Sequence, residues 1–448
     1  MVSFRAVACL VVSAMFGLAI LPSWGGYSDP AVTWVILGLI VVCVLFWSIG
    51  RHVDRGIPSA VLAPLTWAGV LWLGSGPIWF PQPALYITGD FTLVQAARWG
   101  LWAMVLTYGL ALEKPEARWV RNVRFAIIAG LVGVLGAGII SASPEPIIDV
   151  WTVQQKGAEI FMAGGNPFQD VHLKDTGPRT ADDVPYVYPP LHLYVSSVVW
   201  KLLGDVRFGA VLALILLGFA ARALGRKVRE GDPLPAVLED APALFVWCTP
   251  MLPFIIEQGW IDPLQVCWCS ALFLAWGRPW LMSLLAGLVL GAKQTMMFLV
   301  APVGLSARLK VQHWIVVGVV GLIPLLPWLI WDFHAYKHAN FDFLSALPVR
   351  DDALTVVTWA QRRLHLHIPY VIGFIGAFGA IGLAAWRGKQ PIGSAAITAL
   401  TAMTLLFTFN KWAFANYYFT LLALAAIAAA ASFSSDVKPL VLRRRTSP

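Results

Sequence analysis

The chain has 448 residues, 58% of them hydrophobic and only 12% charged, with a formal net charge of +8. Soluble domains carry about 25% charged residues, so an ordinary soluble protein is excluded. The positive charge is no nucleic-acid signature either, because the lysines and arginines gather in short joints between apolar runs, as in cytoplasmic loops of membrane proteins.

Those apolar runs recur at lengths that cross a bilayer as helices, and the alternating pattern of barrel strands is absent. Many of the 22 tryptophans stand near span ends, as interfacial anchors do. The expectation is an all-α polytopic membrane protein. The start, MVSFRAVACLVVSAMFGLAIL, lacks a small-residue cleavage site and reads as a retained first span. The five cysteines all lie in apolar stretches and read as lipid-facing or core thiols.

In chain order, spans are expected near 5–22, 32–50, 58–78 and 91–112, with the basic joint from Arg51 to Arg55 inside the cell and 79–90 outside. Arg98 within the fourth span must face the bundle or snorkel. Residues 1–124 thus form a four-span N-terminal region ahead of a second region, 125–448. Lys114, Arg118, Arg121 and Arg124 mark the next joint as cytoplasmic, so a fifth span at 125–142 runs outward. The next basic cluster, Arg222, Arg226, Lys227 and Arg229, is again inside. Only one span then fits between them, at 205–224, and 191–203, about 20 Å of helix, must lie along the membrane surface. Eight more spans follow near 241–256, 263–277, 279–292, 295–307, 313–331, 368–386, 391–409 and 413–433. Fourteen spans in all put both termini in the cytoplasm.

The segment from Ser143 to Gly204 is the polar exception, and its part up to Pro190 holds seven acidic residues against three basic ones. Asp149 follows the fifth span and precedes a helical stretch, VWTVQQKGAEIFMA, that stops at Gly164-Gly165. Two readings are compatible: Asp149 caps that helix, or it is a general base drawing a proton from an attacking hydroxyl. GGNPFQ (164–169) is a turn, and YVYPPL (186–191), with Tyr188, is a rigid aromatic–proline entry into the surface helix.

Span, Asp149, short helix, GGNPF, polar stretch, YPP, surface helix, Gly204 and span: this order resembles the GT-C superfamily of membrane glycosyltransferases. It is most similar to the family 87 type of polyprenyl-phosphate-mannose-dependent mannosyltransferases. The resemblance covers residue 125 to the last span. It implies a GT-C-like helical bundle, a first external loop of short juxtamembrane helices carrying the catalytic carboxylate, and an isoprenoid-linked sugar donor. Asp149 matches the position of that carboxylate. The sequence departs from the pattern in having four additional spans ahead of it, and Ile148 where some GT-C branches place a second acid.

Other outward joints supply candidates for the same mouth. EQGWID (257–262) offers Gln258 and Trp260 for a sugar, while Glu257 reads as a helix–helix joint. Lys293 in AKQT either meets a lipid phosphate or snorkels. The long outer joint 332–367 is unexpectedly basic, and His338 and Arg350 are its candidates for phosphate, with a local pair to Asp351 or Asp352 as the alternative for Arg350. His365 and His367 lack a nearby third ligand, so no metal site is assigned. Asn410, Lys411, Asn416 and Tyr417 stand where the last helix begins, ready to hold acceptor or to pack the bundle. With no glycine-rich phosphate loop and no room for a nucleotide domain, the donor is expected to be lipid-linked, and no cofactor is needed. The partners expected are the polyprenyl-phosphate sugar, a glycolipid or glycan acceptor and membrane lipids. The competing classes are a transporter or flippase, disfavoured by the lone asymmetric loop, and a ligase or polymerase of polyprenyl-linked glycans, separated by donor type.

Overall fold

The computed structural model describes residues 1–21, 23, 26–49, 55–112, 116–173, 184–229, 234–433 and 438–439. Arg51, Lys114, the polar stretch 174–183 and the basic tail 443–445 lie outside the described residues.

The chain is almost wholly helical. α1 (Phe4–Ile20) and α2 (Asp29–Ser48) each start at a serine whose side chain accepts a backbone N–H of the first turn. α3 (Ser59–Gly74) and α4 (Gly76–Trp79) follow, then α5 (Thr92–Leu106) with a 3₁₀ turn, and α6 (Arg118–Ala142). The polar segment holds α7 (Asp149–Met162), α8 (Pro167–Asp170) and α9 (Pro190–Leu203). Beyond it run α10 (Arg207–Arg229), α11 (Ala236–Trp247), α12 (Leu252–Glu257), α13 (Asp262–Leu274), α14 (Pro279–Ala292) and α15 (Met297–Ser306). α16 (Val311–Leu322) and α17 (Leu326–Trp331) lead to α18 (Phe333–Lys337), a π turn at His338–Asp342, α19 (Phe343–Ala346) and α20 (Val356–Leu364). α21 (Val371–Arg387), α22 (Ile392–Thr408) and α23 (Ala415–Ala431) close the bundle. A small sheet joins β1 (Val2–Ser3) to β2 (Arg55–Ile57) and β2 to β3 (Lys438–Pro439).

Among the described residues, five stretches are long and apolar enough to cross a membrane: Asp29–Ser48, Ser59–Trp79, Arg118–Ala142, Arg207–Arg229 and Val311–Trp331. Six more apolar helices run 10–17 residues. The protein is an all-α, multi-pass membrane protein. Two boundaries differ from the sequence reading. The stretch expected as one span at 241–256 is two helices, α11 and α12, parted at Cys248–Met251, where Pro250 withholds an amide N–H. And α6 begins at Arg118, ahead of the expected 125, because its arginines find carboxylate partners and can be helical.

α23 is the axis. Every residue from Tyr418 to Ala431 is buried, and its alanines let α1 approach closely enough for Ser13 to donate to the Leu422 carbonyl at 3.0 Å. α16 is the opposite case: Val311 is 76% exposed and Ile315 60%, a surface suited only to lipid. The described joints sort onto two ends. At one end Arg121, Arg222 and Arg226 meet Glu239, and Arg229 bonds the Met1 carbonyl. At the other, Asp29 pairs with Arg363, Glu257 takes the amides of Leu85 and Tyr86, and the Leu354 amide bonds the Ala413 carbonyl. Asp149 belongs to this second end.

Candidate functional site

α6 ends at Ser143, whose hydroxyl donates to the Tyr86 carbonyl at 3.0 Å. Pro144 and Pro146 then keep the chain extended up to Ile148, which is the N-cap of α7. Asp149 is therefore the first helical residue and not the cap, a correction to one sequence reading. Its Oδ1 accepts the Val150 amide at 2.8 Å, so the carboxylate turns back on the positive end of its own helix. The group is half-buried. Burial raises its pKa above the usual carboxylate value, outweighing the Val150 amide and the Arg350 charge, which pull it down.

Two clamps fix α7. Arg207 is fully buried, pairs with Asp205 at 2.6 Å, donates to the Ser143 carbonyl at 2.8 Å, and lies 5.3 Å over the Trp151 ring. It thereby grips the chain on both sides of Asp149. One turn on, Gln154 donates to the Gly259 carbonyl at 2.6 Å, which turns its Oε1 toward His192. His192 Nε2 therefore donates to that oxygen at 2.7 Å, and Ser196 lies 3.1 Å from the same nitrogen. The ring is neutral: burial, then the Lys293 charge, pushes its pKa down to about 3. Gly259 sits at φ +65°, with a Cβ there meeting Trp151 at 3.1 Å, so this contact requires glycine. Arg207, Gln154, His192 and Gly259 share a cavity of about 20 Å³, room for one water.

GGNPF forms the turn after α7. Gly164 takes φ +87°, the Asn166 side chain accepts the Phe168 amide, and Phe168 packs edge-on against Tyr186, Trp328 and Tyr336. The motif thus docks the segment on α17 and α18 through an aromatic cluster. Tyr188 stands edge-on to Tyr186 and His192, and its hydroxyl pKa is held well above the usual value by burial, then by Asp149 and Asp262. Tyr86 is likewise raised by burial, then by Glu257 and Asp149.

Asp262, at the head of α13, is 1% exposed and takes three donors: Lys293 Nζ at 3.2 Å, Thr420 Oγ1 at 2.7 Å and Asn416 Nδ2 at 3.1 Å. Lys293 Nζ lies 4.5 Å over the Tyr417 ring. Asp149 and Asp262 both raise the Tyr188 hydroxyl pKa, and the Lys293 charge acts on His192, so these groups lie within electrostatic range of one another. Arg350 reaches the same region. It pairs with Asp352 through Nε at 2.8 Å and Nη2 at 2.7 Å, and lies near 5 Å from the rings of Trp412 and Phe414 (5.0 and 4.8 Å).

Charge effects link Asp149 to Tyr188 and Arg350, and Lys293 to the neighbouring His192. The other candidates take different places. Gln258 is buried against Glu257, while Trp260, 7% exposed and edge-on to Phe254, lines the small cavity beside Gln154 and His192. Glu257 does serve as the joint, holding the Leu85 and Tyr86 amides at 2.7 and 2.8 Å. Asn410 caps a turn by accepting the Trp412 amide, and Lys411 donates to the Leu347 carbonyl at 2.8 Å, which fastens the outer loop. His338 is exposed on the π turn. Arg98 is buried and donates to the Phe80 carbonyl at 2.7 Å. Among the described residues no three His, Cys, Asp or Glu side chains are grouped to hold a metal ion.

Fold and site together define a multi-pass helical membrane protein with a carboxylate, a lysine–aspartate pair and an arginine gathered at one end of its bundle. Comparison of the sequence with protein-family models gives no match, and neither curated proteins nor solved structures match it.

Proposed function

We propose that this protein is a polyprenyl-phosphate-dependent hexosyltransferase of GT-C type, with mannose the favoured sugar and a glycolipid or cell-envelope glycan as acceptor. The reading places about fourteen spans in a cell membrane, both termini in the cytoplasm, α9 along the membrane surface and the Asp149 end outside. The sorting of described joints onto two ends supports that topology. The observation that carries the function is Asp149 itself: a half-buried carboxylate with raised pKa, on a helix fixed by two clamps, and acted on by the Arg350 charge.

In the proposed reaction an acceptor hydroxyl gives its proton to Asp149 as its oxygen attacks the anomeric carbon. The bond from that carbon to the phosphate oxygen breaks on the opposite face, inverting the centre, and the electron pair leaves with the polyprenyl phosphate. Lys293 and Arg350 receive that charge, Arg350 already oriented by Asp352 and two rings. Tyr188 offers an aromatic wall to the sugar. His338 has no assigned role.

Replacing Asp149 by alanine tests this. Transfer falls by about 10²–10⁴-fold, the usual size of a general-base contribution, while the purified protein keeps its thermal midpoint. Unchanged transfer refutes the mechanism.

A further inference from the structure

The Lys293–Asp262 pair is asymmetric. Asp262 keeps two good donors, Thr420 and Asn416, if the lysine is withdrawn. Lys293 has no comparable reserve: its ammonium bonds Asp262 Oδ1 and otherwise rests on the face of Tyr417. A buried ammonium is costly unless paired. So the carboxylate does not need the lysine, while the lysine needs the carboxylate. A pair that served only to join α13 to the joint after α14 would need no such surplus of donors on the acid. Two residues along that joint, Thr295 Oγ1 is buried with no hydrogen-bond partner among the described residues, a second donor left open.

We propose that Asp262 is a positioning residue that holds the Lys293 ammonium as the anchor for the phosphate of the lipid carrier, a diester in the sugar donor and a monoester once the sugar has left. This rests on the function proposed above and names the group that its donor presents. The groups facing Lys293 are Asp262 on α13, Tyr417 on α23 and His192 on α9. His192 is neutral through the working pH range. Burial alone pulls the lysine pKa down, but Asp262 and Tyr417 reverse this and leave it raised, so the anchor stays charged. Thr420 and Asn416 take up the remaining capacity of Asp262, which keeps its carboxylate from being claimed wholly by the lysine. The ammonium then retains donors for a phosphate oxygen, in a site dry enough to make each one count.

The test is binding of sugar-free polyprenyl phosphate to the full-length protein in detergent, measured from pH 6 to 10, for wild type, Asp262→Asn, Lys293→Gln and the double variant. Wild type binds across that range. Lys293→Gln, in which Asp262 keeps its two other donors and the fold is retained, binds on the order of tenfold more weakly, the size of one charge-assisted contact. Asp262→Asn weakens binding too, and more so as pH rises, because the unpaired lysine discharges at a lower pH. The double variant is no weaker than Lys293→Gln alone. Wild-type affinity in a folded Lys293→Gln protein overturns the proposal, as does additive loss in the double variant. If Asp262→Asn fails to fold, Lys293→Gln alone decides. Sugar transfer by wild type, assayed in parallel, keeps the two readings apart. Phosphate binding that depends on Lys293 without any transfer refutes the transferase and spares the anchor. Transfer indifferent to Lys293 does the reverse.

Discussion

The two ends of the bundle handle buried charge in opposite ways. At the Arg222 end, Glu239 is shared by Arg121, Arg222 and Arg226, while Asp240 pairs with Arg222 at 2.7 Å and accepts the Tyr108 hydroxyl at 2.7 Å. Arg124 pairs with Glu116 and lies 3.8 Å over the Tyr108 ring. Charges there answer one another, and the network ties α6, α10 and α11. At the Asp149 end the carboxylate accepts its own helix amide and feels the Arg350 charge, and Lys293 leans on an acid that has other donors. Mutual satisfaction marks a structural network; charge that the fold maintains without using marks a site.

That contrast can be broken by substitution. The largest expected effect is at the structural end. Glu239→Gln leaves the guanidinium groups of Arg121 and Arg226 converging without their carboxylate and costs about 3–5 kcal/mol, read as a lower thermal midpoint in detergent. Transfer per folded molecule is unchanged. Next is Arg207→Lys, which keeps the charge but cannot reach Asp205, the Ser143 carbonyl and Trp151 together. Here kcat falls about tenfold, near 1.4 kcal/mol, with KM and the thermal midpoint little altered; a raised KM with kcat unchanged would make Arg207 a binding residue instead. Gln154→Ala breaks the His192 contact and the Gly259 one, and His192→Ala only the first, so the double variant loses no more activity than Gln154→Ala alone. Full additivity would dissolve that clamp.

The smallest effects are pH shifts. Asp149 works only when ionised, and burial raises its pKa, so the acid limb of transfer lies above that of an ordinary carboxylate. Arg350→Gln removes a charge that lowers it, so the limb moves higher still. The stability sign follows from the same shift. A carboxyl whose folded pKa exceeds its unfolded value stabilises the fold below the unfolded pKa and loses that contribution as pH rises through the folded one. Asp149→Asn should therefore leave the protein slightly more stable than wild type at neutral pH and not at acid pH, which thermal scans at the two conditions check.

The helices were legible in the sequence, because length, apolar runs and the placement of arginines are local or nearly so. Asp149, Tyr188, Lys293 and Arg350 stood out in the sequence too, as polar groups in joints that charge parity puts on one side. What joins them was not legible. Gln154 meets Gly259 across 105 residues and Asp262 meets Thr420 across 158, and no local window carries such pairings. Arg207 did leave a signal: an arginine at the end opposite the basic joints demands a partner, and GDVRFG supplies Asp205 two residues away. The burial of Gln258 and Trp260 was not legible, because an amide and an indole in a polar joint look alike whether they face a sugar or pack inward. Pro250 was visible, yet the surrounding apolar run masked the break it makes between α11 and α12.

The most direct measurement gives purified protein, wild type and Asp149→Asn, radiolabelled polyprenyl-phosphate mannose beside the corresponding glucose lipid, with a glycolipid acceptor. Mannose transfer by wild type alone, released as polyprenyl phosphate and mannosylated acceptor, is the predicted result. Equal transfer by both proteins, or none from any lipid-linked sugar, contradicts it.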